Sequence, residues 1–125
     1  MRIRALGIAV VASWLSVTVA LAQEENRVTL AGEVVDLHCY LTKHGGEGRG
    51  AGHAGCANAC ISRGVTPGFV TKDGTLYVLF DEKMTSPKEK IAGLAGKAAT
   101  ATGVVLERDG VKALRLFTIE EAKAP

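Results

Sequence analysis

Three cysteines and two histidines, His44 and His53, fall between Cys39 and Cys60. The run is Asp36-Leu-His-Cys39-Tyr, a glycine-rich span, then His53-Ala-Gly-Cys56-Ala-Asn-Ala-Cys60. Thiolates and imidazole nitrogens bind borderline and soft metals, and cysteines also pair as disulfides. Cys56 and Cys60 are four residues apart, so on a helix their sulfurs share one face with β-carbons ~6 Å apart. A disulfide needs β-carbons ~3.8 Å apart, so a bond between these two would strain or break the helix. Two thiolates on one helical face suit a metal instead. His53 lies one turn upstream and can swing toward the same point, and Cys39 arrives from the end of a strand across the loop. Three sulfurs and one nitrogen make a tetrahedral set for Zn²⁺, and the sulfur-rich ligation also fits Cu(I).

Asp36, three residues before Cys39, has two readings of equal weight. It is a further ligand, or an acceptor fixing the ring of His53 or His38; or it ends the strand by bonding to local backbone. His38 and His44 are weaker ligand candidates and read first as solvent-facing residues. The competing use of the cysteines is a structural bond from Cys39 to Cys56 or Cys60. Such a bond closes a loop of about 15–20 residues, worth roughly 3 kcal/mol in the chain-entropy account. It leaves one cysteine over. A thiol pair for redox work or copper handling is a third reading. Covalent haem attachment is excluded, because it needs Cys-x-x-Cys-His and this chain has Cys-x-x-x-Cys-Ile. No oxyanion site or substrate pocket is legible, so no catalytic residue is assigned and the chain reads as non-enzymatic.

The elements that must position these residues begin after a secretory leader. Met1 to Arg4 is short and basic, Ala5 to Val19 is apolar, and Ala20-Leu21-Ala22 has the small-x-small cleavage pattern. Residues 1–22 therefore read as a signal peptide and 23–125 as one domain, periplasmic or secreted, with no membrane insertion after cleavage. Two of the 15 basic residues, Arg2 and Arg4, lie in the leader; without them 13 Lys and Arg balance 13 Asp and Glu. A neutral domain lacks the clustered positive charge that nucleic-acid binding requires. A protein partner stays open.

Val28 to Leu37 reads as a first strand whose buried face changes near Gly32–Val34. Thr42 to Gly55 reads as a loop rich in glycine, and Ala54 to Arg63 as a short helix stopped by Gly64. Gly68 to Lys72 and Thr75 to Asp81 form a hairpin about Asp73-Gly74. Ser86-Pro87-Lys88-Glu89 has the form of a capping box and predicts a short helix through Leu94. Lys97 to Glu107 and Val111 to Ile119 are two more strands about Asp109-Gly110. This order predicts a mainly β fold: a five-stranded OB-type Greek-key barrel with one helix between strands three and four. The cysteine segment, about 38–66, is then an insertion between strands one and two. An open antiparallel sheet with one packed helix is the alternative.

The pattern resembles a largely uncharacterised family of small exported bacterial proteins with an OB-like barrel. Its signature runs Gly-x-Val-x-Asp-x-x-Cys-Tyr, then His-x-x-Cys-Ala-x-x-Cys, then Gly-x-Pro-x-Gly. The matching residues are Gly32, Val34, Asp36, Cys39, Tyr40, His53, Cys56, Ala57, Cys60, Gly64 and Gly68, with the proline displaced by one to Pro67. The resemblance implies the fold and a metal or cysteine site, and no activity. A partial similarity to copper sites built on Cys-x-x-x-Cys with a histidine keeps copper as an alternative to zinc. This chain departs from those sites, since its histidine precedes the cysteines.

Overall fold

A computed structural model describes residues 26–123. The leader expected at 1–22 lies outside the described residues. Five strands close into a barrel: β1 (Arg27–Asp36), β2 (Pro67–Thr71), β3 (Leu76–Phe80), β4 (Ala98–Arg108) and β5 (Val111–Glu121). The order around the barrel is β1-β2-β3-β5-β4, returning to β1. All pairings are antiparallel except β3 with β5. This is the OB-type barrel expected from the element order.

β1 closes the barrel by serving two neighbours. Its first part, Arg27 to Glu33, pairs with β4, and Gly32 to Asp36 pairs with β2. Burial changes at the same place: up to Gly32 the side chains alternate, and Val34, Val35 and Asp36 are all buried. The strand therefore delivers a carboxylate, Asp36, fully buried at its end.

The strand stops one residue earlier than its hydrophobic pattern predicts. Asp36 caps a helix, α1 (Leu37–Thr42), by accepting the N–H of Cys39 at 2.8 Å. Asp at a helix start satisfies one of the otherwise orphaned N–H groups. Cys39 thus sits on a helix rather than in phase with a strand. A 3₁₀ turn (Ala51–His53) then leads directly into α2 (Ala54–Ser62), close to the predicted helix.

The helix predicted between β3 and β4 is absent among the described residues. Pro87 starts a single turn, accepting from Lys90 and Ile91 N–H groups at 2.9 and 3.2 Å. Gly93, at φ +75°, takes the next turn, closed by the Leu94 N–H on the Ile91 carbonyl at 3.0 Å, out of helical geometry. The start is also held differently from a capping box. Asp81 collects the N–H groups of Lys83 and Thr85 and the Thr85 hydroxyl, which folds 81–85 into a turn.

The core draws on the barrel and on the insertion alike. Val34, Phe69, Leu79, Ala101, Leu114 and Leu116 line the interior, with Ile91 and Ala95 from the β3–β4 connection. Ala57 and Ile61 of α2 belong to the same cluster. Asn58 of α2 fastens it, giving and taking backbone bonds with Ala95 at 3.3 and 3.4 Å. The cysteine-bearing helix is therefore part of the packed core, and its outer face is free to carry thiols. Phe69 is core, while Phe80 is half-buried.

Candidate metal centre

Three local devices bring the chemistry-bearing residues together. The first is the Asp36 cap, which fixes the start of α1 and with it Cys39, 2 % exposed. The second is the anchoring of the glycine loop. Glu33 of β1 accepts the Gly50 N–H through one carboxylate oxygen and Arg49 through the other, at 3.2 and 3.3 Å. The Gly50 carbonyl in turn accepts the His53 N–H at 3.0 Å, so the strand positions the histidine through two bonds. The third is close backbone approach at Gly48. A β-carbon there would lie 2.1 Å from the Cys39 carbonyl oxygen, and φ is +64°. Only glycine lets the loop run this near α1.

His53 is buried, and its Nε2 faces the Asp36 Oδ2 at 3.6 Å. Neither atom has a hydrogen-bond partner among the described residues, although both are out of contact with solvent there. Buried polar atoms in folded proteins almost always have partners, so a facing pair without any needs a cause. The separation is too long for a hydrogen bond. It is close to the edge of a ligand tetrahedron, roughly 3.4 Å for two bonds of about 2.1 Å to zinc.

The potential ligand atoms form two groups that share Cys39. Asp36, Cys39 and His53 lie within 4.8 Å of one another, all buried. Cys39, Cys56 and Cys60 also lie within 4.8 Å of one another. The second group opens outward: Cys56 is exposed and Cys60 half-buried. Arg63, one turn beyond, reaches the Cys60 sulfur with a guanidinium nitrogen at 3.6 Å. All three cysteines are free thiols in this structure.

Burial pushes the Cys39 thiol up to about 12, and the Asp36 carboxylate and the Cys56 sulfur push in the same direction. Without a cation the buried triad therefore holds the Cys39 proton. A metal would replace that proton and satisfy the sulfur, the carboxylate and the ring nitrogen together.

No family model, curated protein or solved structure matches this chain.

Asp36, Cys39, His53, Cys56 and Cys60 are close enough to bind a metal. Asp36 plays the local backbone-bonding role that its sequence position suggests, Oδ1 capping the helix, while Oδ2 faces His53 without bonding to it. The other two histidines stand outside both groups. His38 is exposed on α1, and exposed His44 meets His53 edge-on, with ring centroids 6.4 Å apart. Sequence reasoning missed Glu33, Gly48 and Arg63. Glu33 carried a faint signal, as an acidic residue just where the buried face of β1 changes. Gly48 was hidden among five other glycines of the loop, and only the three-dimensional approach to Cys39 singles it out.

Proposed function

We propose that the chain is an exported, non-catalytic metal-binding barrel. Its metal, zinc or copper, is held at the junction of β1, α1 and α2 by ligands drawn from Cys39, His53, Cys56, Cys60 and Asp36. The observation that carries this reading is the facing pair of unpartnered buried atoms, Asp36 Oδ2 and His53 Nε2, with the Cys39 sulfur in the same group. A cation gives all three a partner at once. The mixed oxygen, nitrogen and sulfur donors suit a borderline ion such as Zn²⁺, and the surplus of sulfur suits Cu(I). Burial of Asp36 and Cys39 keeps these donors from substrate, which supports a binding rather than a catalytic role. The basic and apolar leader pattern of 1–22 supports export to the periplasm or beyond, and the family resemblance supports the same reading.

A disulfide-stapled interaction domain is the second reading. It is favoured by the closeness of the three sulfurs. A bond from Cys39 to Cys56 or Cys60 would tie α1 to α2. It ranks below the first because it leaves Asp36 and His53 facing each other without partners.

Thermal unfolding of the reduced mature chain tests the proposal. Zinc or Cu(I) at about a thousand times its dissociation constant adds roughly 4 kcal/mol, roughly 16–32 °C of Tm for a domain this size. A chelator should reverse the gain, and Cys39→Ser should abolish it. An unchanged Tm with both metals would overturn the proposal.

A further inference from the structure

The five donors differ in hardness and in depth, and the two differences run together. The buried group offers an oxygen, a nitrogen and one sulfur. The outer group offers three sulfurs, one of them exposed. Borderline Zn²⁺ accepts mixed oxygen, nitrogen and sulfur ligation, whereas Cu(I) prefers sulfur alone. Cys39 belongs to both groups, and its backbone is held at both ends. Its N–H is bonded to Asp36 Oδ1 at 2.8 Å, and its carbonyl accepts the His44 N–H at 3.0 Å. Only the side chain is left to turn between the two sets of partners.

Building on the metal-binding reading above, we propose that the site is two alternative seats for two classes of metal. Zn²⁺ occupies Asp36, Cys39 and His53. Cu(I) occupies Cys39, Cys56 and Cys60. Because both seats need the Cys39 thiolate, filling one empties the other. Cu(I) enters at exposed Cys56, gathers Cys60, and takes Cys39 from zinc. One Zn²⁺ is released to solvent for each Cu(I) bound, any protons on Cys56 and Cys60 leave with it, and no electron is transferred. The Arg63 guanidinium lies 3.6 Å from the Cys60 sulfur, at the outer edge of this seat.

Metal binding by the reduced mature chain and two kinds of variant tests the assignment. The probes are Zn²⁺ alone, Cu(I) alone held in a competing chelator, and Cu(I) added to the zinc-loaded chain. Asp36→Asn and His53→Ala should weaken zinc at least about tenfold and leave Cu(I) within a few-fold. The double variant Cys56→Ser with Cys60→Ser should do the reverse. Asp36→Asn keeps an oxygen to cap α1, so the inner seat is tested even where His53→Ala fails to fold. In the parent chain, zinc should appear in solution as Cu(I) binds. Loss of both metals in either kind of variant would mean one joint site and would overturn the two-seat assignment. So would a chain that holds both ions at once. A parent chain that binds neither metal would instead overturn the metal-binding reading itself.

Discussion

Asp36 and His53 face each other across 3.6 Å, both buried, with no hydrogen bond between them and no other partner for the facing atoms among the described residues. The same carboxylate holds the start of α1 through its other oxygen. One side chain thus joins the fold to the candidate chemistry, and substitutions can separate its two duties.

Asp36→Asn keeps an oxygen for the Cys39 N–H and presents an amide to the His53 ring. Its stability should stay within about 0.5 kcal/mol of the parent, while metal affinity falls at least about tenfold. Asp36→Ala removes the cap as well and should cost about 1 kcal/mol or more in denaturant unfolding of the metal-free chain. Equal stability of the two variants would contradict the capping role.

The metal-free chain should lose stability in alkali through Cys39. The thiol stands at about 12 when folded against an ordinary value of 9.0. Between those values the folded chain holds a proton that the unfolded chain has released, so rising pH favours unfolding. The contribution is fully present below pH 9 and is lost progressively toward pH 12. Denaturant unfolding at several pH values should show this decline in the parent and a flatter one in Cys39→Ser. A parallel decline in both would show that Cys39 is not its source.

The barrel was legible because its signals are local. Alternating apolar residues, Asp73-Gly74 and Asp109-Gly110 mark the strands and two hairpin turns without reference to the rest of the chain. The spacing of Cys56 and Cys60 placed both on one helix for the same reason. The capping-box reading at Ser86 failed because a helix start does not guarantee a second helical turn, and Gly93 takes the next turn out of helical geometry. α1 went unseen because Leu37 and Cys39 continue the apolar phase of β1, and only the Asp36 bond to Cys39 reveals the switch. The division of the donors into two groups depends on depth, which spacing along the chain does not encode.

Gly48→Ala should disturb the site without touching a ligand. Its β-carbon would collide with the Cys39 carbonyl oxygen at a backbone angle that alanine resists. Stability should drop by more than about 1 kcal/mol, and metal affinity should drop with it, because α1 must shift. Gly46→Ala, where a β-carbon meets nothing within 4 Å, is the control for backbone strain alone. Comparable metal affinity in the two variants, measured by chelator competition, would remove Gly48 from the positioning of Cys39.

Ile61→Ala tests whether α2 is held by the core. Ile61 is 5 % exposed within the barrel cluster, one residue past Cys60. The change should cost about 2–5 kcal/mol in denaturant unfolding. A cost below about 0.5 kcal/mol, the level of an ordinary surface change, would mean that α2 is only loosely docked.

The most direct measurement is the metal content of the protein purified without oxygen near neutral pH, paired with a thiol count. The expected result is about one equivalent of zinc or copper, lost in Cys39→Ser, because bound metal requires the deprotonated ligand. Less than about a fifth of an equivalent of any metal, with fewer than three free thiols, would contradict the account and leave the disulfide staple in its place.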